Sequence, residues 1–294
     1  MKIAITGSTG LIGEALIEGI ERRGDTAIRV VRSNPGPADI SWDIAEGTIE
    51  AAKLEGVDAV VHLAGAGIGD KKWSPERKRE ILDSRVKGTE LLAQTLAGLE
   101  RKPVLISGSA VGIYGNRGDE ELTEHSEPGT GFLPEVAVAW EQATRPAVEA
   151  GVRTAFIRTG IVLSPNGGAL GEALLFFKLG VAGRFGDGSQ YWSWISINDQ
   201  IRAILHLIDH DISGPVNLTA PNPVTNADYT KAVGRALNRP TLLPTPSFAV
   251  NVRLGKELAQ AFLYTSTRAL PSVLSDTGYV FEHETLEDAL EDLL

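Results

Sequence analysis

The fold is decided by the stretch Lys2-Ile3-Ala4-Ile5-Thr6-Gly7-Ser8-Thr9-Gly10-Leu11-Ile12-Gly13. The apolar run Ile3–Thr6 predicts a buried β-strand, and apolar side chains then recur with helical periodicity from Leu11 to Arg23. Glycines at such a junction let the backbone turn sharply and approach a pyrophosphate, whose charge faces the helix N-terminus. A glycine-rich turn without a ligand is the alternative. The position at the first strand–helix junction favours a dinucleotide, bound by Gly7, Ser8, Thr9, Gly10, Leu11, Ile12 and Gly13.

Strand-like and helix-like segments alternate from this point to about residue 160. Helices are predicted to begin at Pro75, behind the N-cap Ser74, and at Pro134. Further strands are predicted at Ala27–Val31, Asp58–Ala64, Pro103–Ser107 and Arg153–Arg158. Alternation of this kind predicts right-handed βαβ units, and therefore an α/β fold with a Rossmann-type doubly wound parallel sheet.

The composition of the sequence changes after Leu163, where Gly, Pro and aromatic residues become more frequent. We predict a Rossmann domain over residues 1–163 and a smaller C-terminal substrate lobe over residues 164–294, with residues 194–219 rejoining the first domain. The elements predicted in this part are a strand at Gly214–Leu218 and helices at Asn198–Asp209, Ala227–Leu237, Val250–Phe262 and Glu284–Leu293.

The end of the second predicted strand indicates which dinucleotide is bound. A site that prefers NAD places a carboxylate there, which binds the ribose hydroxyls. In this chain Val31 is followed by Arg32 and Ser33, and a guanidinium can hold a 2′-phosphate with two charge-assisted hydrogen bonds. A solvated surface arginine is the alternative, but the lack of a carboxylate favours NADP(H). Asp43 is either an adenine-side contact or an ordinary turn residue.

Composition excludes several other classes of function. The net charge is −10 and the chain lacks a long basic run, which argues against nucleic acid or an anionic membrane as a partner. Cysteine is absent, so disulfides and thiolate chemistry are excluded, and no His or carboxylate motif predicts a metal site. The first glycines come too early for a secretory signal, and no apolar run reaches the ~20 residues of a membrane span. The sequence predicts a cytoplasmic protein with a small-molecule substrate and leaves homo-oligomer formation open.

Several motifs together make the chain resemble the extended short-chain dehydrogenase/reductases, the NAD-dependent epimerase/dehydratase family, and within it the atypical epimerase-like branch. These motifs are Thr6–Gly13, His62–Gly65, Ser84-Arg85-Val86 with Thr89, Ser107–Gly115, Arg158–Leu163, Gly186–Gln190 and Trp194–Asp199. The resemblance implies an NADP site with Leu63, Ala64 and Gly65 on the adenosine side. It also implies that residues near the nicotinamide are Arg158, Thr159, Gly160 and Ile161.

The spacing around Arg85 adds a separate indication. Arg85 shares an apolar helical stripe with Ile81, Gly88 and Leu92, so its charge requires an anionic partner or hydrogen bonds. The two interpretations are a buried ion pair and a contact to the phosphate or ribose of the cofactor, and the family resemblance favours the cofactor.

The family's usual acid–base pair is missing. Ordinary members carry Tyr-x-x-x-Lys, in which lysine lowers the tyrosine pKa and holds the ribose. This chain has no such motif, and the matching positions are Leu133 and Ala137. The substitutes offered by sequence are Ser109, which could orient a substrate, and Tyr114, for which a packed loop aromatic is the alternative. His62 ends a strand and is more typical of a core histidine than of a base.

The segment 183–194 is predicted to cap the cleft between the two lobes. Its glycines give mobility, and Arg184, Gln190 and Trp194 are the predicted substrate-binding residues. A loop that seals the lobe interface is the alternative. Two functions remain: an NADP(H)-dependent oxidoreductase or epimerase acting on a small polar or nucleotide-sugar-like substrate, and a non-catalytic module that binds or senses NADP(H).

Overall fold

The computed structural model describes all 294 residues and is built around an eight-stranded sheet. Its strands are β1 (Lys2–Thr6), β2 (Thr26–Val31), β3 (Ile40–Asp43), β4 (Thr48–Ile49), β5 (Ala59–His62), β6 (Val104–Ala110), β8 (Thr154–Thr159) and β12 (Gly214–Leu218). Across the sheet they lie in the order β12-β8-β6-β5-β1-β2-β3-β4. All neighbouring pairs are parallel except β3 with β4. The predicted Rossmann-type fold is confirmed.

Helices cover both faces of this sheet. Helices α1 (Leu11–Arg22) and α6 (Ile197–Asp209) pack together on one face, and α2 (Pro75–Gly98), α3 (Phe132–Gln142) and α4 (Arg145–Glu149) cover the other. The alternation along β1 explains this arrangement. Ile3 and Ile5 join the core beneath α1 and α6, whereas Ala4 joins the core beneath α2. Because both faces of β1 are buried, the strand is apolar throughout, as parallel sheets require.

The order in which successive strands are added to the sheet reverses at β1. Its neighbours β2 and β5 lead toward opposite edges, so the loops that follow β1 and β5 lie side by side at the point where the strand order reverses. Ligands of doubly wound sheets bind at such a switch point, beyond the carboxyl ends of the strands. The fold therefore places the glycine stretch and the segment after His62 at one site.

The remaining elements form the C-terminal part and the cover of the cleft. The helices are α5 (Gly168–Lys178), α7 (Asn226–Ala236), α8 (Ser247–Leu254), α9 (Lys256–Leu263), α10 (Ser272–Asp276) and α11 (Leu286–Leu293). Six short strands pair two by two: β7 (Glu121–Leu122) with β14 (Arg268–Ala269), β9 (Ile161–Leu163) with β11 (Trp194–Ser196), and β10 (Tyr191–Trp192) with β13 (Val224–Thr225). The predicted strand Gly214–Leu218 is present and extends the main sheet beyond β8.

One predicted helix is wrong. The segment Val250–Phe262 is two helices, α8 and α9, because Gly255 between them has a φ of 86°. An α-helix cannot continue through a residue in that left-handed region. The short strands β3 and β4 were not predicted, since runs of four and two residues are too short to show a period.

A buried carboxylate ties the C-terminal segment to α6. Asp199 is 1% exposed and accepts hydrogen bonds from the backbone N–H groups of Glu282 and His283, both at 2.9 Å. The hydroxyl of Tyr279 donates to the same carboxylate at 2.8 Å. The motif Trp194–Asp199 is therefore a structural joint, at which the start of α6 binds the segment 279–283 through the Asp199 carboxylate. No helix in the structure has the length and apolar character that crossing a bilayer requires.

Candidate functional site

The backbone between β1 and α1 has no room for side chains at two of its glycines. Gly7 has a φ of +69°, and a Cβ atom there would lie 2.9 Å from the carbonyl carbon of Leu63. A Cβ atom on Gly13 would lie 2.2 Å from the carbonyl oxygen of Gly7. Backbone therefore packs directly on backbone at this junction, which only glycine permits.

The N-terminus of α1 opens toward the end of the sheet. Its N-cap residue is Gly10, and no side chain of the protein caps it. The first N–H groups of a helix have no partner within the helix and carry partial positive charge. With 12 residues, α1 is long enough for this charge to develop. The predicted pyrophosphate-binding residues therefore form a backbone cradle of the kind that binds anions.

A chain of buried hydrogen bonds fixes the segment after β5 against this cradle. The hydroxyl oxygen of Thr6 accepts from the N–H groups of Leu63 and Ala64, both at 3.1 Å, so its proton is donated to Nδ1 of His62 at 2.7 Å. The other ring nitrogen then carries the proton and donates to Thr89 at 2.9 Å. Burial, with a smaller effect from a nearby guanidinium, lowers the pKa of His62 to about 4. His62 is a neutral positioning residue, as a core histidine should be.

The residues predicted to select the cofactor lie at the ends of two adjacent strands. Val31 ends β2, and Arg32 and Ser33 follow it in an exposed bend with no ion pair to Arg32. Asp43 ends the neighbouring strand β3, where its Oδ1 accepts from the backbone N–H groups of Ala45 and Glu46. Arg32 is therefore free to meet an anion, while one oxygen of Asp43 already stabilises a turn.

A cavity of about 750 Å³ opens beyond the carboxyl ends of β6 and β8. Thr159, Gly160 and Ile161, which the sequence placed near the nicotinamide, lie in its wall. The apolar part of the wall includes Phe132, Leu133, Ala137, Trp140, Ile161 and Trp192. Its only cations are Arg85 and Lys256. The cavity is therefore suited to a small molecule with an apolar body.

The two positions that match the family's acid–base pair face this cavity. Leu133 and Ala137 lie one turn apart on α3 and both line the cavity, as does Ala110 at the end of β6. None of these three side chains can donate or accept a proton. The missing Tyr-x-x-x-Lys pair therefore leaves the cavity wall without an acid–base group, because α3 places these two positions where a tyrosine and a lysine would reach the ligand.

Three residues predicted to act in the cleft lie behind its wall instead. Ser109 donates to Glu141 at 2.7 Å, and Arg158 forms a two-pronged ion pair with the same carboxylate at 2.9 and 3.0 Å. Tyr114 is fully buried, donates to Asn217 at 2.7 Å and accepts from Arg158 at 3.0 Å. Burial raises the pKa of the Tyr114 hydroxyl, so it is a poor acid.

The placement of these residues follows from the alternation of side chains along a strand. Ser109 and Ala110 are neighbours on β6 and point to opposite sides, and the alanine is the one that meets the cavity. The structure gives no support to the catalytic assignments of Ser109 and Tyr114 or to the cofactor assignment of Arg158, since none of the three lines the cavity. These side chains belong to a satisfied internal network that supports α3 and β8.

The predicted substrate-binding residues are also displaced from the cavity. Trp194 is fully buried and donates through Nε1 to the carbonyl of Asn222. Gln190 donates to the carbonyls of Phe185 and Leu263, and Arg184 lies outside the cavity wall. At these three positions the segment 183–194 seals the C-terminal part, as the alternative interpretation has it, whereas Tyr191, Trp192 and Ser193 of the same segment line the cavity.

Arg85 is the one predicted charged residue that reaches the cavity. It lines the wall, and no carboxylate forms an ion pair with it, so the interpretation as a buried ion pair is excluded. Its Nη1 donates to the carbonyls of Ala66 and Ile81 at 2.9 and 3.2 Å. Burial and the neighbouring Arg77 lower the pKa of Arg85 to about 10, which leaves it charged at neutral pH.

A model of the NAD dependent epimerase/dehydratase family matches residues 3–219, which span the glycine cradle, the main sheet and most of the cavity wall. The chain belongs to this family. A second model, described as a domain of unknown function, DUF1731, matches residues 245–293 and so covers α8, α9 and the end of the chain.

Relatives of this epimerase-family chain include proteins of bacteria and of humans. The epimerase family protein Mb2239 of Mycobacterium bovis is 44% identical over 290 residues, covering 98% of this chain and 96% of the relative. The crystal structure of human epimerase family protein SDR39U1 (isoform 2) with NADPH matches at a TM-score of 0.91 and 32% identity, covering 100% of this chain and 99% of that one. The nucleoside-diphosphate sugar epimerase of Corynebacterium glutamicum matches at a TM-score of 0.83 and 38% identity, covering 100% of this chain and 58% of the other.

Sequence reasoning missed one residue that this epimerase-family site offers. Tyr191 lies in the cavity wall, is half-buried, and its hydroxyl forms no hydrogen bond within the protein. The guanidinium of Arg268 lies 4.9 Å from the centre of its ring. The prediction that segment 183–194 caps the cleft points to the right stretch, but nothing in its spacing singles out Tyr191 among the aromatic side chains there. Only the fold brings β10 to the cavity.

Proposed function

We propose that this protein binds NADP(H) and transfers hydride between the nicotinamide and a small carbonyl or alcohol substrate with an apolar body. The observation that carries the proposal is the continuity of one site. The glycine cradle at β1, the segment after β5 and the cavity beyond β6 and β8 follow one another along the carboxyl edge of the sheet. A dinucleotide of extended shape fits this order, with its reactive end in the cavity.

The preference for NADP(H) rests on Arg32. It is exposed at the end of β2 and forms no ion pair, and no carboxylate stands at this position to repel a 2′-phosphate. The human relative SDR39U1, which is 32% identical, was crystallised with NADPH. A cofactor with an additional phosphate would use the one cation that this strand end presents.

The apolar substrate class follows from the shortage of cations in the cavity wall and from its apolar α3 side; polar side chains, among them Asn116, Thr159 and Gln260, line other parts of the wall. A nucleotide-linked sugar carries a diphosphate and several hydroxyls, which require cations and many hydrogen-bonding groups. This wall has two cations, and its helix α3 contributes Phe132, Leu133, Val136, Ala137 and Trp140. We therefore favour an oxidoreductase over a sugar-nucleotide epimerase.

We assign the proton transfer to Tyr191. Reduction of a carbonyl needs a hydride from the nicotinamide at carbon and a proton at oxygen, which together give the alcohol. Tyr191 lines the same cavity as Gly160 and Ile161, where the nicotinamide is proposed to lie, and its hydroxyl forms no hydrogen bond within the protein. The hydroxyl of Tyr114 already forms hydrogen bonds with Asn217 and Arg158 behind the cavity wall.

A second candidate function is a non-catalytic module that binds or senses NADP(H). The observation that favours it is the apolar character of Leu133 and Ala137 at the cavity wall. Binding would then rest on the cradle alone, and the cavity would accept either no substrate or a regulatory ligand.

One set of measurements distinguishes the oxidoreductase from the non-catalytic sensing module. Calorimetric titration with NADPH and NADH should give binding with a preference for NADPH. NADPH oxidation is then followed with aldehydes, ketones and quinones of increasing apolar size and, in parallel, with nucleotide sugars. Turnover with the apolar carbonyls supports the oxidoreductase; binding without turnover on either panel supports the sensing module. Absence of binding to both cofactors would refute both functions.

A further inference from the structure

Three side chains of types that bind metal ions meet outside the site described above, near the joint between α6 and the C-terminal segment. Glu282 and His283 are neighbours in the segment before α11, and Asp292 lies in the last turn of α11. One oxygen of each carboxylate and one ring nitrogen of His283 all lie within 4.8 Å of one another. The sequence shows no metal motif here, because most of α11 separates Asp292 from the other two residues and only the fold brings them together.

His283 is the buried member of this group. It is 5% exposed, and its Nδ1 lies 3.0 Å from the hydroxyl oxygen of Ser196 at the start of α6. Its Nε2 forms no hydrogen bond within the protein and faces Asp292, whose Oδ2 lies 3.6 Å away. The buried imidazole therefore presents an unpartnered nitrogen to a carboxylate.

The hydrogen bonds of Ser196 decide what this nitrogen can bind. The hydroxyl oxygen of Ser196 accepts from the N–H of Asp199 at 3.1 Å, and its proton is donated to the Asp199 carboxylate at 3.3 Å. Nδ1 of His283 then carries the ring proton and donates it to Ser196, which leaves a lone pair on Nε2. Histidine ligands of metal ions are oriented in this way, by a hydrogen bond from the other ring nitrogen. A lone pair beside a carboxylate is unfavourable unless a cation lies between them.

The two carboxylates bring more negative charge than the surrounding side chains offset. The only lysine or arginine within ion-pair distance of either is Arg202, whose Nη1 lies 3.3 Å from Glu282. Asn198 donates to Asp292 at 3.2 Å but adds no charge. The side chains of Glu282 and Asp292 are 44% and 54% exposed, so both can rotate. Rotation that brings the donor atoms to about 3.4 Å from one another would give the spacing of ligands around one tetrahedral ion.

We propose that Glu282, His283 and Asp292 bind one divalent first-row metal ion of the Zn²⁺ type, with water in the remaining positions. One imidazole and two carboxylates suit zinc and its first-row neighbours, whereas Mg²⁺ and Ca²⁺ prefer oxygen ligands alone. The ion connects the last turn of α11 to the segment that the Asp199 carboxylate holds against α6. This inference is independent of the proposed function, because none of the three residues lines the cavity.

Calorimetric titration of the chelator-treated protein with Zn²⁺, and in parallel with Mg²⁺, tests the site. The parent protein and all variants carry His210→Gln, because His206 and His210 stack one turn apart on α6 and offer a second place for Zn²⁺. We expect one equivalent of Zn²⁺ to bind and Mg²⁺ to bind more weakly. His283→Gln and Asp292→Asn should each weaken Zn²⁺ about tenfold or more. Glu291→Gln is the matched control, since it removes an exposed carboxylate of α11 that lies outside the group, and it should leave the affinity unchanged.

Hydrogen exchange distinguishes a structural site from ions bound at the surface. Zn²⁺ should slow amide exchange in α11 and in segment 279–283 of the parent protein and of Glu291→Gln, and should not slow it in Asp292→Asn. Circular dichroism shows whether each variant is folded, and the exposed position of Asp292 keeps the test valid even where His283→Gln fails to fold.

Two results would overturn the inference. One is a parent protein that binds no Zn²⁺ saturably, in which case Nε2 of His283 holds a proton that it shares with Asp292. The other is a Zn²⁺ affinity, or a slowing of exchange by Zn²⁺, that is the same in Asp292→Asn as in the parent protein and Glu291→Gln.

Discussion

The carbonyl oxygen of Gly7 occupies the space that a side chain on Gly13 would need, since a Cβ atom there would lie only 2.2 Å away. Two glycines six positions apart are thus one structural unit, in which the end of β1 lies directly on the first turn of α1. The contact brings the helix N-terminus to the end of the strand. Any ligand bound there meets backbone N–H groups and not side chains.

Replacement of Gly13 with Ala is expected to abolish NADPH binding and to lower the free energy of unfolding by about 1–3 kcal/mol, because the neighbouring backbone must move. Calorimetry and denaturant unfolding measure the two effects. Gly98→Ala is the control, since a Cβ atom on Gly98 meets nothing within 4 Å. A Gly13→Ala variant with wild-type NADPH affinity would show that the cradle is not the binding site.

Replacement of Arg32 with Ala should weaken NADPH far more than NADH, because only NADPH carries the 2′-phosphate that the guanidinium is proposed to hold. A bidentate charge-assisted contact supports a loss of about tenfold or more. Arg22→Ala is the matched control: Arg22 ends α1, and its side chain is 77% exposed. Parallel losses for the two cofactors in the Arg32 variant would mean that the arginine does not touch the phosphate.

Replacement of Tyr191 with Phe should leave NADPH affinity and stability unchanged and reduce turnover about a hundredfold or more, the scale of a lost general acid. Tyr114→Phe should do the reverse. It removes the donor to Asn217 and leaves a buried acceptor unpaired, which costs about 1–3 kcal/mol of stability without affecting the rate per folded molecule. Activity assays beside thermal unfolding distinguish the two. Unchanged turnover in the Tyr191 variant removes it from the mechanism.

Stability should fall as the pH is lowered from about 6.5 to about 4, with a contribution from His62 on the order of 3 kcal/mol. Burial lowers the pKa of His62 in the folded state, so in this window the unfolded chain binds a proton that the folded protein excludes. Above pH 6.5 neither state binds it, and the contribution is constant. Urea unfolding across the pH range measures the slope.

His62→Gln should flatten this slope, whatever its effect on stability at neutral pH, while replacement of the exposed His125 with Gln should not. A wild-type slope in the His62 variant would show that other groups cause the acid destabilisation.

The main sheet could be predicted from the sequence because its strands are buried on both faces and separated by long periodic helices. The sequence patterns of Ile3–Thr6 and Leu11–Arg23 are local, so each can be read without knowing the rest of the chain. The identity of the cavity-facing residues could not be predicted in the same way. Whether Ser109 or Ala110 meets the cavity depends on the strand's register, and a shift of one residue reverses every side chain.

The sealing loop shows a second limit of sequence reasoning. Arg184, Gln190 and Trp194 are the residue types that binding loops use, and nothing in their spacing reveals that carbonyl groups far along the chain already accept from Gln190 and Trp194. The positions that match the family's Tyr-x-x-x-Lys pair, Leu133 and Ala137, could be assigned from the sequence. They lie on a regular helix, so the four-residue spacing of the motif places both on the cavity side.

The joint at Asp199 bears on how the molecule is made. Its carboxylate receives two amide donors from residues that lie 83 and 84 positions further along the chain. Until that distant segment has folded back, the carboxylate must remain hydrated, and α6 cannot settle fully on the sheet. Closure of this edge of the molecule is therefore a non-local step of folding, which comes after the local pairing of the first strands and helices.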